Sequence, residues 1–286
     1  MIASPTLSLL RQMVLRDLRL RYRSTFLGFF WSLAKPGALI LLFYVIFQVV
    51  MRIGEDALGN DFGRGANYGV FVAIGIITWT FFSGALVQGV PAYLDHQHLI
   101  TKAYFWRPVL PLACAVSNWV HYLFAQAVLV VFLRAMGCHH WETQLLWLLP
   151  LSFLELALVA GLLWLLSWFH TLARDTLQFV ELGLMVWFYG SPVIYPASLV
   201  YKSDLFSGDS AASPLAIVYL LNPLAPILVV RQRLLLSNYL KAPSFLHPTP
   251  DQLQDSLILA LFSIAALAAF AWRLNRKVNR QIADRI

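Results

Sequence analysis

The chain has 286 residues, of which 59% are hydrophobic and only 12% are charged, and its formal net charge is +7. Soluble domains are about 45–50% apolar and about 25% charged. This composition excludes an ordinary soluble fold, because the surface of such a fold needs charge. In a membrane protein a basic excess reports orientation, so we expect no nucleic-acid partner.

The first predicted element is an amphipathic helix at 4–23. Ser4 followed by Pro5 is typical of a helix start. Apolar and basic side chains then recur at helical spacing on two separate faces, with Leu7, Leu10, Val14 and Leu18 on one and Arg16, Arg19 and Arg23 on the other. Such a helix suits the cytoplasmic interface of a membrane. It would serve there either as a lipid anchor or as a brace for a cytoplasmic partner.

Six stretches are apolar and long enough to cross about 30 Å of hydrocarbon. They lie at 33–51, 69–90, 109–133, 145–169, 177–195 and 253–272. We expect them to be helical, because unpaired backbone groups are costly in lipid and because they lack the alternation of a β-barrel strand. The predicted fold class is an all-α integral membrane protein with six transmembrane helices in a single domain.

The basic residues predict the orientation of these spans. Six spans place both termini on one side, and 14 of the 21 Lys and Arg residues fall on that side. Cytoplasmic segments of membrane proteins carry the excess of Lys and Arg. Both termini are therefore predicted to be cytoplasmic, without a cleavable signal peptide at the start.

Two connections between the spans stand out. The cytoplasmic segment 91–107 is aromatic at 104–106, so it either tucks against the membrane or, as the favoured interpretation, docks into another protein. The external connection 197–250 contains apolar stretches at 214–221 and 227–239, separated by Pro223 and Pro226 and too short to cross. Two short interfacial or re-entrant helices are therefore predicted there.

The sequence lacks the patterns of a nucleotide-hydrolysing or metal-dependent enzyme. It contains no GxxxxGKS/T loop, so we expect no ATP hydrolysis and no catalytic residue in this chain. The run Cys138-His139-His140 with Glu142 is better interpreted as a polar loop than as a metal site, because adjacent ligands have poor geometry. No cofactor or metal is predicted for this chain.

Two acidic residues, Glu155 and Glu181, fall within predicted spans. A carboxylate in the membrane is a functional hypothesis, with pairing inside the bundle as the alternative. Neither has an evident buried basic partner, which counts against an ion-coupled transporter. Mid-span aromatic residues suit apolar contact with sugar rings, although packing is favoured for any single one. These aromatic residues include Tyr44, Phe47, Trp187, Phe188 and Tyr189.

Several segments resemble those of a known family. The run Arg-Tyr-Arg-Ser-Thr-Phe-Leu-Gly-Phe-Phe-Trp at 21–31 is similar to the start of type-2 ABC exporter permeases for polysaccharides and polyol phosphates. That family includes the O-antigen permease Wzm and the teichoic-acid and capsule permeases. Further similar segments follow in the same order, at 100–111, at 174–175 (Arg-Asp), at 191–196 (Ser-Pro-Val-Ile-Tyr-Pro) and at 221–224 (Leu-Asn-Pro-Leu). The departures are Trp106, where the family often has proline, and Thr101, where it often has lysine.

The resemblance implies a homodimer with a separate ATP-binding subunit, holding ATP and Mg²⁺, on each copy. The implied contacts to that subunit are Arg16, Arg19, Asp95, His98, Lys102 and Arg107. The first and fifth spans would line the channel, and the two short external helices would form a gate. Candidate lining residues are Tyr44, Phe47, Glu181, Trp187, Phe188, Tyr189 and Tyr195.

The implied substrate is a polysaccharide on undecaprenyl diphosphate, in the first place lipopolysaccharide O-antigen. It would move from the cytoplasm to the outer side of the inner membrane. Arg21 and Arg23 are candidates to hold the pyrophosphate at the entrance, with topology and lipid-phosphate contact as the alternative roles.

Alternative cargoes are capsule, teichoic acid or a small hydrophobic molecule. Outside this class, the alternatives are a membrane glycan polymerase and an ion-coupled flippase. A polymerase would need an external catalytic loop, and Arg231, Arg233 and His247 form no convincing constellation for one.

Overall fold

The computed structural model describes residues 3–22, 37–42, 45–50, 68–102, 105–135, 143–197, 200, 221–236 and 250–278. Every regular element within these ranges is helical, as an all-α protein requires. The helices are α1 (Ala3–Tyr22), α2 (Tyr68–Gly89), α3 (Ala92–Asp95), α4 (Gln97–Lys102), α5 (Val109–Ala135), α6 (Leu148–Leu172), α7 (Thr176–Tyr189), α8 (Leu224–Leu236) and α9 (Pro250–Val278). Residues 37–42 are also helical, Val45–Val50 form a π-helical turn and Thr143–Trp147 a 3₁₀ turn.

Within the described ranges, four helices are long and apolar enough to cross a membrane. The candidate spans are Gly69–Gly89, Val109–Arg134, Leu145–Leu172 and Leu257–Leu274. They belong to α2, α5, α6 and α9, and they coincide with the second, third, fourth and sixth predicted spans. The chain is therefore a multi-pass membrane protein whose described part is all-helical.

The other two predicted spans differ from these four. The first, 33–51, lies partly outside the described residues. The fifth, 177–195, corresponds to α7, whose 14 residues rise only about 21 Å. The helix ends at Tyr189 because Pro192, just beyond Gly190, has no N–H group and its ring would clash with a continuing helix.

The main core surrounds α2. Residues 69–78 of this helix are all buried, and α5, α6, α7 and α8 pack around it. The last helix, α9, packs mainly along α6, where Leu267 lies over Gly161. These helices place the residues of the candidate site around the first half of α2.

A smaller core joins α1 to α3, α4 and the start of α5. Met13 of α1 packs with Tyr93 of α3, Ile100 of α4 and Leu110 of α5. Burial raises the pKa of the Tyr93 phenol well above its usual value, so this group stays protonated. The predicted amphipathic helix, at almost the same residues as α1, therefore packs its apolar face on its own chain.

Candidate functional site

The turn after α7 closes on the end of that helix. The backbone N–H of Val193 donates to the Ser191 carbonyl at 2.7 Å. The Tyr195 hydroxyl folds back and donates to the Tyr189 carbonyl at 2.9 Å. The sequence Ser-Pro-Val-Ile-Tyr-Pro at 191–196 therefore forms a compact turn rather than the last residues of a span.

One side chain, that of Asn222, joins this turn to the start of α8. Its Oδ1 accepts hydrogen bonds from Trp187 Nε1 at 2.9 Å and from the Leu224 backbone N–H at 3.0 Å. Its Nδ2 donates to the Gly190 carbonyl at 3.1 Å and to Ser191 Oγ at 2.9 Å. Both lone pairs and both N–H groups of the amide are thus used. We call Trp187, Gly190, Ser191 and Asn222 the Asn222 clasp.

Two further contacts fix the same turn. Gln232 of α8 donates from Nε2 to the Pro192 carbonyl at 2.8 Å. Val193 is fully buried against α2 at Gly75, where a Cβ atom would overlap the Val193 carbonyl oxygen. Only glycine permits this approach, so the turn packs directly on the backbone of α2.

A buried ion pair ties α8 to the core. The Arg231 guanidinium donates to the two carboxylate oxygens of Glu155 in α6, at 3.2 and 3.0 Å, and to Thr78 Oγ1 in α2 at 2.8 Å. The Arg231 and Glu155 side chains are only 2% and 0% exposed. The Tyr122 ring of α5 lies 5.3 Å from the guanidinium carbon, within cation–π range. We call Thr78, Glu155 and Arg231 the buried anchor.

The prediction that Glu155 has no buried basic partner is wrong, because Arg231 pairs with it. The partner lies 76 residues away in sequence, in a connection predicted to be external. Thr78, Tyr122 and Glu155 all lie inside their helices, and Glu155, the nearest to a helix end, is seven residues from Leu148. α8 therefore lies at the level of the span interiors, as the re-entrant alternative requires. The sequence signal that could have indicated this pair is Arg231 itself, a charge in a short apolar segment.

Two of the predicted channel-lining residues pack inside the bundle. The Trp187 ring lies 5.0 Å from that of Phe82, edge to face. The Phe188 ring lies 5.3 Å from that of Trp79, also edge to face. Both contacts join α7 to α2, so the structure gives these two aromatic residues a packing role.

The opposite face of α7 is exposed and mostly apolar. Glu181 and Tyr189 lie on exposed positions of this helix, and Tyr195 is half-buried. The exposed apolar side chains are Phe179, Leu182, Met185 and Val186. In a membrane such a face is covered either by lipid or by protein, and its place in a channel stays a prediction.

The end of the bundle that holds α1 contains a polar contact of its own. Arg16 Nη2 lies 2.8 Å from His96 Nε2, and His96 Nδ1 lies 2.9 Å from the Ala92 carbonyl oxygen. A carbonyl only accepts, so Nδ1 carries the hydrogen and Nε2 accepts from Arg16. Arg16 also pairs with Asp17 at 3.2 Å. Arg16, a predicted contact for the ATP-binding subunit, therefore contacts its own chain as well.

The remaining predicted contacts for that subunit are accessible to different degrees. Arg107 is half-buried, whereas the others lie at exposed positions, namely Arg19, Asp95, His98 and Lys102. They are carried by α1, α3 and α4, which pack on one another through the smaller core.

Trp106, in the predicted aromatic run at 104–106, finds partners within its own chain. The Trp106 ring lies 5.9 Å from that of Trp164 and 5.7 Å from that of Trp272. Trp164 in turn donates from Nε1 to the Pro108 carbonyl at 3.1 Å. Internal packing therefore accounts for Trp106, and its aromatic character does not require a partner protein.

Some predicted residues lie outside the part of the chain that is described. These are Arg23, Tyr44, Cys138, His139, His140, Glu142 and His247, together with 214–220 of the first predicted short helix. Arg21 lies in the last turn of α1, and Phe47 lies in the π-helical turn.

Comparison with known proteins finds relatives of one kind. No protein-family model matches the chain. An O-antigen export system permease protein RfbA of Klebsiella pneumoniae is 30% identical over 202 residues, which cover 70% of this chain and 73% of that protein. A second RfbA permease of Klebsiella pneumoniae is 28% identical over 202 residues, which again cover 70% of this chain and 73% of that protein. The RfbA permease of Myxococcus xanthus is 30% identical over 208 residues, or 72% of this chain and 75% of that protein.

Proposed function

This chain belongs to the O-antigen export permeases, a family of type-2 ABC transporter subunits, and we propose that it is the membrane subunit of an ATP-driven exporter of lipid-linked O-antigen. The cargo is carried on undecaprenyl diphosphate and moves from the cytoplasm to the outer side of the inner membrane. The observation that supports this proposal is the similarity to O-antigen export permeases over more than two thirds of both chains.

The energy comes from a separate ATP-binding subunit, because this chain has no phosphate-binding loop. The proposed docking surface is the end of the bundle that carries α1, α3 and α4. Exposed side chains of both charge signs lie there, including Asp95 and Lys102. The smaller core links these helices to the start of α5, so movement of a docked subunit would reach the spans.

The polymer passes between two copies of the chain. A long polysaccharide cannot be enclosed by a small pocket, so it needs a continuous path with weak contacts. The exposed face of α7, with Glu181 and Tyr189, is the wall that we propose for this path. Arg21 and Arg23 bind the carrier's diphosphate at the entrance, because guanidinium groups pair with phosphate through two parallel hydrogen bonds.

Co-purification followed by a transport assay tests the proposal. The chain, tagged alone, is expressed with the ATP-binding protein encoded beside it and reconstituted in proteoliposomes. We expect a complex of two plus two subunits that hydrolyses ATP and translocates lipid-linked O-antigen. The control is a partner whose phosphate-binding lysine is replaced, which should assemble without translocation. A chain that purifies alone, without ATPase activity, contradicts the proposal.

The diphosphate role of Arg21 and Arg23 is tested in the same complex. Replacing both by Gln should abolish binding of the lipid-linked substrate while the ATP-binding subunit stays attached. The control is Arg11→Gln, an exposed arginine of the same helix, which should bind substrate normally. Unchanged substrate binding and export in the double variant would remove the two arginines from the entrance.

A further inference from the structure

Apolar burial alone does not account for the position of α8. This helix has 13 residues, too few to cross a membrane. Residues 224–229 and 235–236 are buried, but lipid tails are as apolar as leucine, so burial in a membrane gives little driving force. Apolar packing on apolar spans restricts sliding and rotation less than directional contacts do. Directional polar contacts are therefore expected to fix the register of α8.

Three side chains supply such contacts, and they point to different parts of the protein. Asn222 and Gln232 bind the turn that ends α7. Arg231 binds α6 and α2 through Glu155 and Thr78. The turn is thus attached to α8, and α8 is attached to the bundle.

We propose that the buried anchor is the fixed point from which α8 positions the end of α7, and that Arg231 and Glu155 are positioning residues for export. The effect on export rests on the proposed function, whereas the positioning itself does not. No substrate contact is assigned to either residue. They act through the Asn222 clasp and the Gln232 contact on the helix that carries the proposed channel wall.

The chemistry of the pair fits positioning better than stabilisation alone. A buried ion pair is often no more stable than apolar residues of similar volume, because both charges lose their water. The planar guanidinium that contacts both oxygens of Glu155, however, fixes angle as well as distance. Its further bond to Thr78 adds a second helix to the same point. The arrangement thus restricts rotation and sliding of α8 more than apolar packing alone would.

Cysteine labelling measures the positioning directly. Val193→Cys is placed in a background with Cys114→Ser and Cys138→Ser, and the rate of modification by N-ethylmaleimide is followed in the assembled complex. Val193 is fully buried, so the parent should react slowly. Glu155→Gln or Arg231→Gln should raise the rate about tenfold, because the turn then opens locally. The matched controls Asp255→Asn and Arg134→Gln change exposed residues and should leave the rate unchanged.

A double variant separates positioning from stability. Glu155→Leu with Arg231→Met removes both buried charges, and such replacements are commonly neutral or stabilising. We expect thermal stability and assembly to return to the parent values while fast labelling of Val193→Cys and impaired export per ATP persist. Recovery of slow labelling and of export in this variant would overturn the proposal. Slow labelling in well-folded Glu155→Gln and Arg231→Gln complexes would overturn it as well.

The proposed function is judged separately. If the parent complex translocates no O-antigen but the labelling rates change as expected, the positioning role stands and the export assignment fails. If export occurs and labelling does not depend on the ion pair, the export assignment stands and the positioning role fails.

Discussion

Single polar side chains carry much of the connection between distant parts of this chain. Asn222 satisfies two acceptors and two donors at once, and Arg231 reaches two helices. Within a membrane bundle water is scarce, so a group that loses its partner finds no easy replacement. Changes at these residues are therefore expected to be felt beyond their own side chains.

Asn222 provides the first prediction. Asn222→Ala leaves the half-buried Trp187 Nε1 and the exposed Gly190 carbonyl without this partner, and each lost hydrogen bond costs about 0.5–1.5 kcal/mol. Asn222→Asp keeps the acceptor but places an oxygen against that carbonyl, so it should destabilise as well. Thermal unfolding of the purified chain, followed by tryptophan fluorescence, measures both. The control Gln254→Ala removes an exposed amide, and a midpoint for Asn222→Ala equal to that of this control would contradict the role of the clasp.

Two glycines of α2 form a matched pair for the second prediction. A methyl group at Gly75 would overlap the Val193 carbonyl, whereas one at Gly84 would meet nothing within 4 Å. We expect Gly75→Ala to cost about 1–3 kcal/mol through overpacking. Gly84→Ala should be neutral or gain up to about 1 kcal/mol from helix propensity. The thermal unfolding midpoints of the two variants test this expectation. Equal midpoints would show that the turn does not pack on α2 as described.

At the scale of elements, α1 is attached by apolar packing more than by charge. Met13 is only 4% exposed, whereas the Arg16 side chain, which contacts His96, is 51% exposed. Exposed polar pairs contribute about 0–1 kcal/mol, and truncation of a buried methionine costs about 2–5 kcal/mol. Apolar packing through Met13 therefore holds α1 on the bundle whether the helix serves as a lipid anchor or as a brace for a cytoplasmic partner.

The third prediction follows from this packing. Met13→Ala should release α1 and speed hydrogen exchange of its amides and of those in α3, because their shared core is lost. Leu7→Ala changes a residue of the same helix that is 67% exposed and should leave the exchange unchanged. Equal exchange in the two variants would show that Met13 does not hold α1 on the bundle.

The sequence predicts single elements better than their neighbours. It locates α2, α5, α6 and α9 because a run of about 20 apolar residues is typical of a membrane span and of little else. Because Pro226 is interpreted as a break, the sequence places the start of α8 at Ile227. The observed start is three residues earlier, at Leu224. Proline instead fits the first turn of a helix, where its missing N–H is not needed.

Pairings between elements lie beyond this reasoning. Helical periodicity predicts which face of an element is apolar but not which helix lies against it, so it cannot join Glu155 to Arg231. The same limit applies to α7, where Trp187 and Phe188 contact α2 while Tyr189 is exposed. Three neighbouring aromatic residues look equivalent in sequence and differ in the structure.

At the scale of the whole molecule, several exposed apolar faces of the described helices have to be covered in a membrane, and two of them can be compared. One lies on α7 and includes Met185, which is 65% exposed, and the other lies on α9 and includes Phe262, which is 71% exposed. Lipid alone would satisfy both. The α7 face differs because it holds the exposed carboxylate of Glu181, and a charge in hydrocarbon is costly. A second copy of the chain, with a polar path between the two, would relieve that cost.

The fourth prediction distinguishes these two faces. In a background with Cys114→Ser and Cys138→Ser, Met185→Cys should yield covalent dimers with a short bifunctional maleimide in native membranes, because each copy presents the same face to its partner. Phe262→Cys, on the face that we expect to contact lipid, should stay monomeric under the same conditions. Dimers at Phe262→Cys but not at Met185→Cys would move the contact between copies to α9. That result would also leave Glu181 facing lipid, which its charge makes unfavourable, so the proposed path along α7 would have to be abandoned.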